Sequence, residues 1–190
     1  KEPALVVCPT SVVFNWENEI EKFAPNLKYL VLTGVERKTQ FKNIPKYDVI
    51  VTSYALVMRD IEELKKHEIR DVILDESQNI KNATSQTSKA VKELNAKHKL
   101  ALSGTPIENR LEELWSIFDF LMPGFLFDKS EFNYRYVTPI MEREDKTVEK
   151  RLKSQIDPFI LRRMKRDVAK DLPYKIENVT SCTLTPEQTA

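Results

Sequence analysis

The chain has 190 residues, of which 41% are hydrophobic and 31% charged. This is enough for one folded domain, or for one domain plus an appendage, and is typical of a soluble, intracellular protein. Because 30 Lys and Arg residues are balanced by 29 Asp and Glu residues, net charge gives no argument for a nucleic-acid partner. The two cysteines are too few for a disulfide framework or a zinc site. The sequence has no apolar run near ~20 residues and no secretory signal, so we expect neither a membrane span nor export.

Five apolar runs in the first 104 residues are typical of buried strands. They are residues 4–8, 29–34, 47–54, 71–75 and 97–104. Between them lie helical patterns, with apolar residues at steps of three and four. The first of these helices has four apolar residues on one face: Val13, Trp16, Ile20 and Phe23. We interpret Trp16, like Trp115 further on, as a core residue. The alternation of strands and helices predicts an α/β fold, with a parallel sheet flanked by helices.

The pattern changes after Pro123 and Gly124. Residues 125–171 show no strand pattern and predict helices with a charged surface. Towards the end of this segment, residues 161–173 predict a basic helix, for which a solvated face is favoured over a contact with DNA. The extended residues that follow predict a linker or the first strand of a further domain. We therefore divide the chain into three segments: a lobe at 1–122, a helical extension at 123–171 and a linker at 172–190.

Two short polar motifs follow predicted strands, DESQ at 75–78 and SGTP at 103–106. Because ligand sites in open α/β sheets lie just past the carboxyl ends of the strands, the side chains of the two motifs can converge on one spot. These side chains are Asp75 and Glu76 with Ser103 and Thr105. A paired acid after a buried strand is what a nucleoside triphosphatase uses to hold Mg²⁺ and to orient an attacking water.

In such a site Asp75 would reach Mg²⁺ through water, Glu76 would polarise the attacking water, and Gln78 could link a γ-phosphate to the neighbouring motif. Gly104 would permit a tight turn in that motif. Taken alone, each motif is favoured to be an ordinary turn after a strand, but their joint occurrence shifts the balance towards a nucleotide site. The other half of an ATP site is missing from the sequence, which has three glycines and no G-x-x-x-x-G-K-[ST] phosphate loop.

Hydroxyl side chains stand at the ends of two other strands, Thr10 and Ser11 after the first and Thr52 in the third. Helix N-termini bind phosphate, so these residues could grip a nucleic-acid backbone. A plain cap of the following helix is the competing interpretation, in which Thr10 or Ser11 caps the helix that begins near Val13. The sequence leaves both interpretations open.

The motifs taken together resemble those of a known family. The runs LVVCPTSVVFNWENEI, DVIVTSYALV, VILDESQNIKN, LALSGTPIENRLEELWSIFDFLMPG and PFILRRMKRDVAKDLPYKIE resemble the Swi/Snf-type ATPases of helicase superfamily two, in order and over essentially the whole chain. They are similar to the family's motifs Ia, Ib, II and III, followed by its helical extension and linker. The resemblance implies a RecA-like lobe of the P-loop NTPase type, truncated before its first strand, with a helical appendage. Members of the family are ATP-driven double-stranded-DNA translocases that remodel protein–DNA complexes.

The resemblance also implies a role for each matched position. Asp75 resembles the Mg²⁺-binding acid and Glu76 the water-activating acid, and Gln78 completes this catalytic set. The positions that couple hydrolysis to movement in the family match Ser103, Gly104 and Thr105. Those that contact the DNA backbone match Thr10, Ser11 and Thr52. Those that brace the two lobes match Arg162, Arg163 and Lys165. Two residues depart from the usual pattern, since Ser77 stands where Ala or Gly is usual and Gln78 where His is common.

These likenesses imply that the parent protein is a DNA-dependent ATPase that uses ATP and Mg²⁺, binds double-stranded DNA and has a second RecA-like lobe. Without a phosphate loop, the 190-residue chain is expected to hold no cofactor, to be inactive alone, to bind DNA weakly and to self-associate through a sheet edge at 99–103. The alternative is a non-catalytic DNA- or protein-interaction module derived from that family, against which the intact DESQ and SGTP motifs argue. The expected location is the bacterial cytoplasm with the nucleoid, or the nucleus in a eukaryote.

Overall fold

The computed structural model describes residues 2–104 and 111–163 of the chain. Thr105, Lys165 and the predicted linker at 172–190 therefore lie outside the described residues. The chain forms two compact units, Lys1–Val148 and Glu149–Ala190. The division of the chain near residue 122 stays a prediction.

A five-stranded sheet forms the centre of the first unit. Its strands are β1 (Ala4–Cys8), β2 (Tyr29–Val31), β3 (Val49–Ser53), β4 (Ile69–Leu74) and β5 (Ala96–Ala101). They lie in the order β2-β3-β1-β4-β5, and every neighbouring pair is parallel. Val7 lies opposite Thr52 on one side and Leu74 on the other, so three strands end side by side. The predicted α/β fold with a parallel sheet is confirmed.

Helices follow the strands as the periodicity predicts. They are α1 (Val13–Phe23), α2 (Arg37–Gln40), α3 (Tyr54–Leu64), α4 (Gln86–Lys92), α5 (Leu111–Leu121), α6 (Lys129–Phe132), α7 (Thr138–Arg143) and α8 (Lys146–Ile156). Short 3-10 helices occupy Thr10–Val12, Phe41–Lys46, Ser77–Ile80 and Asp157–Phe159, and a short π-helix occupies Asn133–Val137. No helix among the described residues is long and apolar enough to cross a membrane.

The two faces of the sheet belong to two separate apolar clusters. Side chains alternate across a strand, so Leu5 and Val7 of β1 enter the cluster shared with α3, α4 and α5. Val6 and Cys8 enter the second cluster, which α1 completes with Val13 and Ile20. Every residue of β1 is buried because the strand is central and covered on both faces.

Two details of the predicted helices are wrong. Phe23, expected on the buried face of α1, is 70% exposed, because it is the last residue of the helix and lies beyond the seam formed by Val13 and Ile20. The basic helix predicted from residue 161 is not present at 161–163, which have no regular structure, and the rest of it lies outside the described residues. Trp115 is a core residue as predicted, with 8% exposure.

Candidate functional site

Asp75 follows β4 directly, and its main chain is held by β1 and by the start of α3. Its backbone N–H donates to the Val7 carbonyl at 2.8 Å, which extends the pairing of β1 and β4 by one residue. Its own carbonyl accepts a hydrogen bond of 2.7 Å from the Tyr54 hydroxyl, at the start of α3. The main chain at Asp75 is thus fixed at the carboxyl edge of the sheet, where ligand sites of parallel sheets occur.

The Asp75 carboxylate has two hydrogen-bond donors on different elements. The Trp16 indole Nε1 donates to Oδ2 at 2.8 Å, and the Glu76 backbone N–H donates to Oδ1 at 2.9 Å. A carboxylate oxygen has two acceptor positions, so each oxygen keeps one for a further partner. The group is half-buried and oriented, and it retains the capacity to accept hydrogen bonds from metal-bound water.

Glu76 adopts the left-handed conformation, with φ 50° and ψ 54°. For a residue with a Cβ this costs roughly 1–2 kcal/mol, and such strain often occurs at functional sites. The Glu76 carbonyl accepts from the backbone and the side-chain amide of Asn79, at 3.0 and 2.8 Å. These bonds hold the short 3-10 turn in place and offset part of the strain.

A hydrogen-bonded chain joins the two polar motifs. The Gln78 amide Nε2 donates to Glu76 Oε2 at 2.6 Å, and the Ser103 hydroxyl donates to Gln78 Oε1 at 3.0 Å. Backbone hydrogen bonds join the same two segments: the Leu102 N–H donates to the Leu74 carbonyl at 2.7 Å, and the Ser77 N–H donates to the Leu102 carbonyl at 2.8 Å. The predicted convergence of the two motifs is therefore observed for Glu76, Gln78 and Ser103.

The unusual Ser77 fits its surroundings. It is 1% exposed, at the point where the turn after β4 pairs with the chain leaving β5. A small side chain is required there, and Ser meets that need as Ala or Gly does. Gly104, in contrast, is exposed, its φ is not positive, and a Cβ would meet nothing within 4 Å, so the expected tight turn does not require glycine at this position.

The residues predicted to contact nucleic acid differ in their exposure to solvent. Thr10 and Ser11 are exposed in the turn before α1, and neither caps that helix, because the 3-10 turn closes through the Val12 N–H and the Pro9 carbonyl instead. Thr52 is 2% exposed, and its hydroxyl donates to the Leu32 carbonyl at 3.0 Å. The Thr52 hydroxyl therefore has no access to solvent in this structure. Arg162 and Arg163 are exposed in the second unit.

Two residues of the site were not found by sequence reasoning. Trp16 was interpreted as a core residue, although a tryptophan at a half-buried position needs an acceptor for its N–H, and here the acceptor is Asp75. Tyr54 is the other, and burial followed by the charge of Asp75 raises its pKa above the ordinary value, so its hydroxyl stays a donor. Burial and then the same charge raise the pKa of the Cys8 thiol to about 12, so this thiol stays protonated.

Comparison with known proteins identifies the family. A model of the SNF2-related domain matches residues 1–190. The chain is 44% identical over 195 residues to the TATA-binding protein-associated factor MOT1 of Saccharomyces cerevisiae, covering 96% of this chain and 10% of that protein. It is 45% identical over 193 residues to the putative ATP-dependent helicase/translocase YwqA of Bacillus subtilis, covering 99% of this chain and 21% of that protein.

Solved structures agree with this assignment. The SWI2/SNF2 ATPase core of Sulfolobus solfataricus in complex with double-stranded DNA is 47% identical and superimposes with a TM-score of 0.82, covering 97% of this chain and 39% of that one. The same core domain solved separately gives a TM-score of 0.75 at 47% identity, covering 98% of this chain and 38% of that one. The chain thus spans a tenth to a fifth of these curated relatives and about two fifths of the solved cores. It belongs to the SNF2-related domain family and has the RecA-like fold of the Swi2/Snf2 ATPase core.

Proposed function

We propose that this chain supplies the catalytic acids of an ATP-dependent double-stranded-DNA translocase. The observation that carries the proposal is the hydrogen-bonded series from Ser103 through Gln78 to Glu76, beside an oriented Asp75 at the ends of β4 and β5. Relatives named as an ATP-dependent helicase/translocase and an ATPase core in complex with double-stranded DNA support it. In this proposal a longer protein adds the phosphate loop and a second lobe.

The residues present fit a magnesium ion held together with nucleotide phosphates. Mg²⁺ prefers oxygen ligands, keeps several waters and needs only one or two carboxylates beside the phosphates. Asp75 offers one such carboxylate, and the described residues contain no cluster of three or more His, Cys, Asp or Glu that would hold a metal unaided. Bound there, Mg²⁺ would stabilise negative charge on the phosphate oxygens.

Glu76 is the residue that we assign to the attacking water. Gln78 occupies Oε2 of its carboxylate, which leaves Oε1 without a hydrogen bond to any described residue. That oxygen can accept a proton from water, as a general base does. Ser103 fixes the far end of Gln78, so a shift of the chain after β5 would change the orientation of Glu76. We propose this link as the coupling between hydrolysis and movement.

The 190 residues alone are proposed not to hydrolyse ATP. Phosphoryl transfer depends on loop N–H groups and a lysine that hold the β- and γ-phosphates, and the sequence contains no such loop. Weak binding of duplex DNA by the chain alone is the remaining activity that we propose for it. The intact acidic site argues against a purely non-catalytic interaction module.

Replacing Glu76 with Gln in the longer protein tests this function. The change keeps the shape and the hydrogen bond to Gln78 but removes the base, so DNA-stimulated phosphate release should fall by at least ~10²-fold while ATP binding is retained. Glu62→Gln, at an exposed side chain on α3, is the matched control and should behave like the unmodified protein. Near-normal turnover in the Glu76 variant would show that this residue is not the base. Measurable turnover by the 190-residue chain would contradict the proposed need for the phosphate loop.

A further inference from the structure

The indole of Trp16 connects α1 to the acid of the candidate site. Trp16 lies in the first turn of α1, a few residues after the exposed turn Thr10–Val12, and is separated from Asp75 by 59 positions in the chain. Its Nε1 donates to Asp75 Oδ2 at 2.8 Å. We propose that Trp16 is a positioning residue that fixes the Asp75 carboxylate for Mg²⁺. This inference rests on the proposed ATPase function.

The two donors to this carboxylate differ in what they restrain. Glu76 N–H belongs to the same turn as Asp75 and moves with it, so it does not fix the carboxylate relative to the sheet. Trp16 is the one described residue on another element that donates to the carboxylate. Partners of metal-binding carboxylates that orient the ligand commonly change metal affinity 10- to 100-fold when removed. Loss of the indole N–H should therefore reach the metal through Asp75.

Packing makes the indole a rigid donor. The Trp16 ring packs against the apolar cluster formed by β1, β3 and α1, together with Val12 and Ile73. Because the ring has two rotatable bonds, holding it in place costs less side-chain entropy than holding a long polar side chain would. The packing of the core on that face of the sheet thus fixes the position of the indole N–H, and α1 holds this N–H against the Asp75 carboxylate.

Tyr54 shows that Asp75 is held from a second helix in the same manner. Its hydroxyl donates to the Asp75 carbonyl at 2.7 Å from the start of α3. The carbonyl is not a metal ligand in the proposed site, so Tyr54 places the main chain whereas Trp16 places the carboxylate. This division singles out Trp16 as the residue whose loss should change metal binding.

Trp115 offers a matched control for the competing explanation that Trp16 only satisfies its own N–H. Its Nε1 donates to the Phe127 carbonyl at 3.2 Å, and neither of these residues is assigned to the site. Trp115→Phe removes the same kind of bond from a core tryptophan and leaves Asp75 untouched. A general cost of losing an indole N–H would appear equally in both variants.

The decisive experiment compares Trp16→Phe and Trp115→Phe in the longer protein at graded Mg²⁺ concentrations. Binding of a fluorescent ATP analogue and DNA-stimulated ATP turnover are both recorded. We expect Trp16→Phe to raise the half-saturating Mg²⁺ concentration about tenfold in both assays, with turnover largely recovered at high Mg²⁺. Trp115→Phe should stay within about twofold of the unmodified protein. A Trp16→Phe curve that superimposes on the unmodified one, even with lower stability, would overturn the inference.

The same experiment separates this inference from the proposed function. If the unmodified longer protein shows neither Mg²⁺-dependent binding of the analogue nor turnover, the proposed function fails, and the inference fails with it. If the unmodified protein behaves as an ATPase and only the shift in Trp16→Phe is missing, the inference alone fails.

A second measurement does not depend on the folding of a Trp16 variant. The chain has two tryptophans, so its NMR spectrum contains two indole N–H signals. Asp75→Ala should move the Trp16 signal upfield and speed its hydrogen exchange, while the Trp115 signal stays in place as an internal check of the fold. A Trp16 signal that does not respond would show that the hydrogen bond is not made and would overturn the inference.

Discussion

At the scale of single residues, Asp75 is the point at which distant parts of the chain meet. Trp16 reaches its carboxylate, Tyr54 reaches its carbonyl, and Val7 accepts from its N–H. The neighbouring Glu76 carries the left-handed backbone of the turn and the hydrogen bond from Gln78. One acid is thus held by its surroundings, and the other is held by its own turn.

A second polar contact of interest at this scale is the ion pair of Arg37 and Asp60. The Arg37 Nε and Nη2 donate to the two Asp60 carboxylate oxygens at 2.6 and 3.0 Å, and Nη1 donates to the Gly34 carbonyl at 2.6 Å. Both side chains are more than nine-tenths buried. The pair therefore joins α2 to α3, and the bond to the Gly34 carbonyl adds the loop after β2.

We expect Asp60→Asn to lower the free energy of unfolding by about 3 kcal/mol, because the Arg37 guanidinium would stay buried without its counter-charge. Glu63→Gln, at an exposed ion pair with Lys66, is the control and should change stability by less than about 0.5 kcal/mol. Urea denaturation of the 190-residue chain measures both. Equal, small effects of the two substitutions would show that burial does not increase the contribution of the Arg37–Asp60 pair to the free energy of unfolding.

At the scale of elements, β5 forms one edge of the sheet as the structure describes it. It pairs with β4 on one side, and no described strand pairs with the other. Leu100 is 51% exposed and Leu102 is 36% exposed, so an edge that no second described strand covers also carries apolar surface. Exposed edges of this kind invite pairing with another chain. The edge predicted near 99–103 is thus present, while self-association through it stays a prediction.

We expect the 190-residue chain to self-associate and Leu100→Lys to reduce that association, since a charged edge residue opposes pairing. Val35→Lys introduces the same charge at an 82% exposed loop residue and should leave the association unchanged. Sedimentation velocity over a range of concentrations provides the measurement. A clean monomer in the unmodified chain would contradict the prediction, and so would equal association of both variants.

At the scale of the whole molecule, the charge distribution limits what the chain can bind alone. The formal net charge is +1, so attraction to nucleic acid can come only from local charge, such as residues 150–170, which contain eight Lys and Arg residues against two Asp. The exposed candidates for DNA contact in the described first unit are the hydroxyls of Thr10 and Ser11, which would meet phosphates and carry no base recognition. Contacts of this kind position a protein on DNA without selecting a sequence.

We therefore expect the chain to bind duplex DNA weakly and without sequence preference, with affinity falling at least about tenfold between 50 and 200 mM salt. Fluorescence anisotropy of labelled duplexes of two unrelated sequences, titrated at both salt concentrations, measures this. Thr10→Ala with Ser11→Ala should weaken binding equally for the two sequences. Tight, sequence-selective binding that does not respond to salt would contradict the expectation.

Much of this protein was determined by the sequence alone, because its signals are local. Apolar runs and helical spacing placed all five strands and the helices between them, with errors of a few residues at their ends, as in β2, which ends at Val31 rather than at residue 34. Acidic and hydroxyl residues directly after strands predicted that Asp75, Glu76, Ser103 and Thr105 would converge, and the structure joins Glu76 to Ser103 through Gln78. That expectation follows from parallel strands alone, since their carboxyl ends share one edge.

Only the tertiary structure decided which side chains meet across the sheet. Periodicity shows that Trp16 faces inward, but its contact with Asp75 depends on β1 and β4 being neighbours in the order of the strands, which similar apolar runs do not specify. The same holds for Thr52, whose hydroxyl is buried because β2 lies beside β3 and the residue that follows β2, Leu32, offers its carbonyl. Local patterns report the face on which a residue lies, whereas its partners are set by long-range packing and register.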